Sequence, residues 1–208
     1  MLYGSASPAR SVPMTAASPD ESLAPRYTGV AIALHWLLAV MLLLSFGVGW
    51  TMADMPFTVM RLRLYNWHKW AGIAILTLSA LRLAWRWTHS PPRLGARIEA
   101  SMPRWQRVIH GATLGAMYLL SFVVPLLGWA YTSSRGYPVV WLGILSLPDF
   151  VPVDPGLAAA LQSLHRASAY TLAALVLLHV AATLKHHFVD RDGLLARMGP
   201  PPRKKALR

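Results

Sequence analysis

Four histidines stand inside or next to long apolar stretches of the chain, where a polar ring is costly unless it has a function or a partner. They are His35, His68, His165 and His179. The chain has no cysteine, so thiolate metal sites, iron–sulfur clusters and Cys-anchored haem are excluded, and imidazole is the natural metal ligand. For any one of these histidines, a hydrogen bond to a neighbouring helix explains its presence equally well. The set of four favours a bound cofactor.

The spacing of the last two histidines shows what they can bind. His165 and His179 are 14 positions apart and fall on one predicted helix. At about 100° per residue both rings leave the same face of a helix, and at about 1.5 Å per residue they lie about 21 Å apart. Two ligands at that distance cannot share a metal ion. The spacing therefore predicts two metal centres stacked along the helix.

Four apolar segments predict the helices that position these histidines. The segments are 30–50, 65–87, 108–134 and 167–184. The second segment is the weakest candidate for a spanning helix, because Lys69, Arg82 and Arg86 leave a charge-free centre of only 12 residues. A spanning helix needs about 20 mostly apolar residues, but long basic side chains near its ends can reach the headgroups. With no period-2 alternation typical of strands, the sequence predicts an all-α membrane protein, a bundle of four transmembrane helices.

The charges predict the orientation of this bundle. The chain has 20 Lys+Arg against 8 Asp+Glu, a net charge of +12, although only 13% of its residues are charged. All but five of the basic residues lie toward one side of the predicted helices; the five are Arg61, Arg63, Lys69, Arg135 and Arg166. The positive-inside rule then places both termini in the cytoplasm. Because the cations flank membrane segments, no nucleic-acid binding is expected.

The predicted domain organisation is simple. Residues 1–25 are rich in Ser, Ala and Pro and predict a disordered cytoplasmic tail. Residues 26–198 form one four-helix membrane domain in contact with lipid, and 199–208 form a basic cytoplasmic tail.

Depth in the membrane pairs the four histidines. His68 and His165 fall near the predicted periplasmic surface, whereas His35 and His179 fall nearer the cytoplasm. Each pair joins two helices at one level, as in bis-histidine haem ligation inside a four-helix bundle. Zinc is less well supported, because each level has two histidines and no nearby acidic residue.

Small and basic residues stand near both levels. Gly72, Ala31 and Ala39, four positions from a histidine, leave room for a flat macrocycle, although ordinary small-residue helix packing explains them equally well. The candidate partners for haem propionates are Lys69, Arg166 and Arg26. A lipid headgroup contact is the alternative for each.

Several short motifs between Arg26 and Met198 together resemble one family. They are Arg26-Tyr27, Leu34-His35-Trp36, His68-Lys69 with Gly72, Leu81-Arg82-Leu83 before Pro91-Pro92, Met102-Pro103 with Trp105, Pro125 with Gly128-Trp129, Arg135-Gly136, His165, and His179 with Lys185-His186-His187-Phe188 and Asp190. The pattern resembles the bacterial cytochrome b561 family of the nickel-hydrogenase type. The resemblance implies two non-covalent b haems, ligated by His35, His68, His165 and His179. It also implies a location in the bacterial inner membrane and electron transfer between a periplasmic donor and membrane quinone. The quinone would be ubiquinone or another quinone.

The resemblance leaves two functions open. Family members of similar size resemble superoxide:quinone oxidoreductases, and the five predicted periplasmic cations could steer superoxide. In such an enzyme His186 would contact quinone at the cytoplasmic end. The alternative is an electron-relay subunit for a periplasmic dehydrogenase or hydrogenase, with the loop 135–164 as docking surface or lid. A haem-free transporter or scaffold would leave the four intramembrane histidines unexplained.

Overall fold

The computed structural model describes residues 26–90, 92, 103–191 and 193–199; the predicted tails lie outside these residues except for Gly199. Four long helices dominate: α1 (Gly29–Ala53), α2 (Val59–Thr88), α3 (Arg104–Ser134) and α4 (Pro155–Lys185). The α3–α4 loop contains an antiparallel hairpin of β1 (Val140–Trp141) and β2 (Leu145–Ser146). This hairpin is a small departure from the predicted all-α chain. A π-helical turn (His186–Asp190) and a 3₁₀ turn (Leu195–Arg197) follow α4.

Local sequence explains where these helices begin. Thr28, Thr58 and Asp154 are the N-caps of α1, α2 and α4, and each side chain accepts the backbone N–H three residues later. Helix α3 begins after Pro103 without such a side-chain cap. It continues through Pro125, as expected for a proline that bends a membrane helix rather than ending it.

The helices form an up-and-down bundle in which α1 packs on α2, α2 on α3, and α3 on α4. The α1–α2 turn and the α3–α4 loop lie at one end, which we call the loop end. Residues 26 and 199 lie at the other, the terminal end. There the Trp85 indole N–H donates to Thr28 Oγ1 at 2.9 Å, and the Trp36 indole N–H donates to the Met198 carbonyl at 2.9 Å.

The surface of the bundle is that of a helical membrane protein. Large apolar side chains face outward, among them Leu43, Leu119 and Leu177, each more than 60% exposed. Helices α1 and α3, and α4 with its π-helical turn, are long and apolar enough to cross a membrane. Helix α2 has 30 residues but does not reach that hydropathy, because five basic residues lie along it. The four-span count and the cytoplasmic termini remain predictions.

Candidate functional site

The structure brings the four intramembrane histidines together in the two predicted pairs. The ring centroids of His68 and His165 are 6.0 Å apart with planes at 88°, and we call these residues the loop-end pair. The centroids of His35 and His179 are 6.4 Å apart with planes at 77°, and these form the terminal-end pair. Among the described residues, no three His, Asp or Glu side chains converge on a point that could hold a metal ion. Each level therefore offers two nitrogen ligands, which suits haem iron better than tetrahedral zinc.

Backbone carbonyls fix the rings of the loop-end pair. The Nδ1–H of His68 donates to the Ser45 carbonyl at 3.0 Å, with Ser45 Oγ at 3.2 Å, and the Nδ1–H of His165 donates to the Val124 carbonyl at 2.9 Å. A carbonyl can only accept a hydrogen bond, so the proton of each ring is on Nδ1. The Nε2 lone pair of each ring is then the one available to a metal, and the carbonyl contact increases its basicity.

Two glycines give these rings their space. A Cβ atom built on Gly49 would lie 3.0 Å from His68 Cε1, and one built on Gly128 would lie 3.1 Å from His165 Cε1. Any larger residue would push the ring. Gly72, which the sequence suggests as room for a macrocycle, lines the cavity around this pair, and the nearest atom to a Cβ built there is Cβ of Pro125, at 3.9 Å. Gly49 carries no sequence signal, because its ring neighbour belongs to another helix.

A cavity of about 360 Å³ surrounds the loop-end pair and is lined by all four helices. Five of its lining side chains carry only hydrogen-bond donors: Trp50, Arg61, Lys69, Trp129 and Arg166. Nε of Arg61 and Nε1 of Trp129 are buried and have no hydrogen-bond partner among the described residues. Such a lining needs a ligand with acceptor or anionic oxygens. A haem fits this site: the two imidazoles face each other, the glycines leave space beside the rings, and the unpaired donors could bind the propionates.

The three predicted propionate partners lie in different places. Lys69 lines the cavity and donates to the Pro138 carbonyl at 3.3 Å, and Arg166 lines the same cavity with an exposed side chain. The guanidinium of Arg26 donates to the Gly199 carbonyl at the terminal end. The structure thus brings two of the three to the loop-end pair, whereas Arg26 ties down the C-terminal segment.

The terminal-end pair has different surroundings. Nδ1 of His35 is buried without a hydrogen-bond partner in the described part of the chain. Arg82, half-buried in α2, lies close enough to interact electrostatically with both His35 and His179. Sequence reasoning counted Arg82 only as a topology charge. Arg82 lies six residues before the end of α2, and this distance is the sequence signal that could have placed it level with His35 and His179.

His186, the predicted quinone contact, opens the π-helical turn after α4. Its Nδ1–H donates to Asp190 Oδ2 at 3.1 Å, and Lys185 Nζ lies 2.7 Å from the same carboxylate oxygen. The carboxylate orients the imidazole, and about a fifth of the His186 side chain is exposed. Single-turn π-helices are rare and frequently mark functional sites. His187 is exposed, as expected for an interfacial residue.

The β-hairpin is fastened to α2 beside the loop-end pair. The Trp70 indole N–H donates to the Val140 carbonyl at 2.7 Å, and the Trp141 indole N–H donates to the Trp70 carbonyl at 3.3 Å. Val139 is buried and contributes to the cavity wall, whereas Ile144 at the hairpin tip is 87% exposed. The loop thus closes part of the cavity and presents an apolar tip outward.

Comparison with known proteins gives a consistent result. The sequence model of a family described as prokaryotic cytochrome b561 matches residues 26–201, which include all four helices and both histidine pairs. Cytochrome b561 homolog 2 of Escherichia coli (strain K12) is 27% identical over 174 residues, 83% of this chain and 90% of that protein. Cytochrome b561 homolog 1 of the same strain is 27% identical over 180 residues, 84% and 97% of the two chains. A protein named probable superoxide oxidase CybB, from Yersinia pestis, is 26% identical over 182 residues, 86% and 98%.

Proposed function

Because the chain belongs to the prokaryotic cytochrome b561 family of haem b-binding, electron-transferring membrane proteins, as its sequence motifs predicted, we propose that it is a di-haem quinone reductase. In this proposal electrons enter from a periplasmic donor at the loop end and leave to membrane quinone at the terminal end. The donor is superoxide.

The observation that carries the proposal is the pair of facing imidazoles at each of two levels. Each bound haem would supply a one-electron carrier between its two histidines. In His68 and His165 the Nδ1–H donates to a backbone carbonyl, so Nε2 is the nitrogen available to iron. Gly49 and Gly128 keep the space beside these rings open. Most of the wall of the cavity at this level is apolar.

The proposed topology has four spans, with the loop end in the periplasm. Helix α2 is the fourth span, since it is as long as the others and packs between α1 and α3. The exposed Arg63 and Arg86 lie toward its two ends, where they can reach headgroups. Among the described residues the loop end carries five cations and the terminal side eight, which favours cytoplasmic termini.

Superoxide as donor is supported by the charge around the loop-end cavity. Arg61, Lys69 and Arg166 line it, and a concave cationic site raises the local concentration of an anion. Oxidation of two superoxide ions yields two dioxygen molecules and two electrons. These electrons, with two protons, convert one quinone to quinol. The name of the Yersinia pestis relative suggests the same substrate.

Quinone reduction is assigned to the terminal end through His186. Its hydrogen bond to Asp190 fixes Nδ1 as a donor and orients the imidazole, and in this proposal the ring exchanges a hydrogen bond with a quinone oxygen. Helix α4 links His186 to His179, seven residues earlier, so the quinone contact lies beside the terminal-end pair.

The test is quinol formation by the purified, haem-loaded protein, given quinone and a steady source of superoxide. We expect quinol to form at a rate well above the uncatalysed rate. Superoxide dismutase should abolish this quinol formation. A protein with both haems that gives only the uncatalysed rate would contradict superoxide as the donor.

That outcome would favour the relay function, in which the same bundle anchors a periplasmic dehydrogenase or hydrogenase. The exposed apolar tip of the β-hairpin, at Leu142 and Ile144, is the observation that favours this alternative. A relay would reduce quinone when the haems are reduced by an artificial donor but not by superoxide.

A further inference from the structure

Four side chains lie at the same depth at the terminal end. They are His35, Arg82, His110 and His179, and each is six residues from the terminal end of its own helix. Six residues of α-helix are about 9 Å. The terminal-end pair therefore shares its level with an arginine from α2 and a histidine from α3, and Arg82 interacts electrostatically with both paired rings.

The side chain of Arg82 is held by an aromatic ring. Its Cζ lies 5.3 Å from the ring centroid of Tyr118 in α3, and Cζ of Arg86, one turn later, lies 5.8 Å from the same centroid. The two arginines differ in burial, because Arg82 is half-buried whereas Arg86 is exposed. Of the two guanidinium groups, only that of Arg82 is substantially desolvated.

No described carboxylate balances this charge. Among the described residues the acidic side chains are Asp54, Asp149, Asp154 and Asp190. The first three lie at the loop end, and Asp190 is paired with Lys185 and His186. A guanidinium inside a membrane bundle is expensive unless it meets an anion, so its position marks a binding site.

We propose that Arg82 binds a carboxylate of the haem held by His35 and His179, with Tyr118 positioning the guanidinium. This inference rests on the proposed function, since it requires a haem at that level. The planar fork of arginine matches a carboxylate with two hydrogen bonds, which a lysine cannot reproduce. The phosphate of an anionic lipid offers similar oxygens, and the experiment separates the two sources.

The experiment is a redox titration of the purified holoprotein, with haem content measured alongside. The variants are Arg82→Met, Arg82→Lys and, as matched control, Arg86→Met, which removes the exposed arginine from the same ring. A His165→Ala background identifies the signal of the terminal-end haem. Each protein is titrated in lipid-free detergent and again after addition of phosphatidylglycerol.

Loss of the cation should lower the potential and the occupancy of the terminal-end haem alone, because a neighbouring positive charge favours the reduced state. Arg82→Met should show the full shift in lipid-free detergent, Arg82→Lys a smaller one, and Arg86→Met none. A shift that appears only with phosphatidylglycerol would assign Arg82 to lipid and overturn the inference. Identical potentials in Arg82→Met and wild type under both conditions would also overturn it. A wild type with no terminal-end haem would instead defeat the di-haem proposal itself.

Discussion

The two histidine pairs use the same ligand type in different surroundings. At the loop end the backbone shapes the site: carbonyls of Ser45 and Val124 hold the rings, and glycines clear the space beside them. At the terminal end Nδ1 of His35 has no described hydrogen-bond partner, and a half-buried arginine lies near both rings. One pair is thus held by the main chain, whereas the other lies beside a charged side chain.

This difference matters for electron transfer, because the properties of a haem depend on what surrounds its ligands. Hydrogen bonds to ligating imidazoles make them better donors and orient them, whereas a nearby cation stabilises the reduced iron. Two haems with identical axial ligands can therefore differ in potential. The following variants act on one end of the bundle and use the other as internal reference.

Removal of a ligand should have the largest effect. We expect His165→Ala to lose the loop-end haem and His179→Ala to lose the terminal-end haem, so that each variant retains half of the wild-type haem content. The measurement is the haem-to-protein ratio with the reduced visible spectrum. If His165→Ala and His179→Ala lost the same spectral component, the pairing of the levels would be wrong.

Substitution of the glycines beside the loop-end pair should have the second-largest effect, and this effect should be confined to the loop end. Gly49→Ala and Gly128→Ala place a methyl group 3.0 and 3.1 Å from a ring of the loop-end pair, and overpacking of this kind costs about 1–3 kcal/mol. We expect lower thermal stability and partial loss of the loop-end haem, with the terminal-end haem retained. The matched controls are Gly47→Ala and Gly115→Ala, where a Cβ meets nothing within 4 Å. Equal losses in the controls would remove the ring contact as the cause.

Neutralising cations at the cavity should have a moderate, salt-dependent effect. With superoxide as donor, the double variant Arg61→Gln/Lys69→Gln should slow quinol formation by roughly tenfold at low ionic strength and less at high salt. Arg104→Gln/Arg107→Gln makes the same charge change at the terminal end and should leave the rate unaltered. Equal slowing by both double variants would show that net charge alone is responsible.

The indole hydrogen bonds at the two ends should have the smallest effect. Trp141→Phe removes the contact with the Trp70 carbonyl at the loop end, and Trp36→Phe removes the contact with Met198 at the terminal end. Each should lower the free energy of unfolding by about 1 kcal/mol, measured by thermal denaturation of the holoprotein. A much larger loss for Trp36→Phe would show that the C-terminal segment stabilises the terminal-end site.

The sequence predicted the four helices well where they are apolar and less well elsewhere. The third segment and α3 both end at Ser134, and the first differs from α1 by only a few residues. Helix α4, however, begins at Pro155 rather than near residue 167, because its first turns are capped by Asp154 and are less apolar. A charge-free run detects the part of a helix in lipid, not its whole length.

The histidine pairs were predictable because helix face and depth follow from spacing and topology. The contacts of Gly49, Gly128 and Arg82 were not, since each depends on how closely two helices approach and in which rotation. The β-hairpin was also missed, because two-residue strands leave no periodic pattern. Sequence spacing gives positions along an element, whereas these contacts arise between elements.

The haem content of the wild-type protein, measured with its low-spin spectrum after expression with ample haem, tests the central claim most directly. We expect two low-spin b haems per chain, separable into a loop-end and a terminal-end component by the two histidine variants. A single haem, or none, would contradict it.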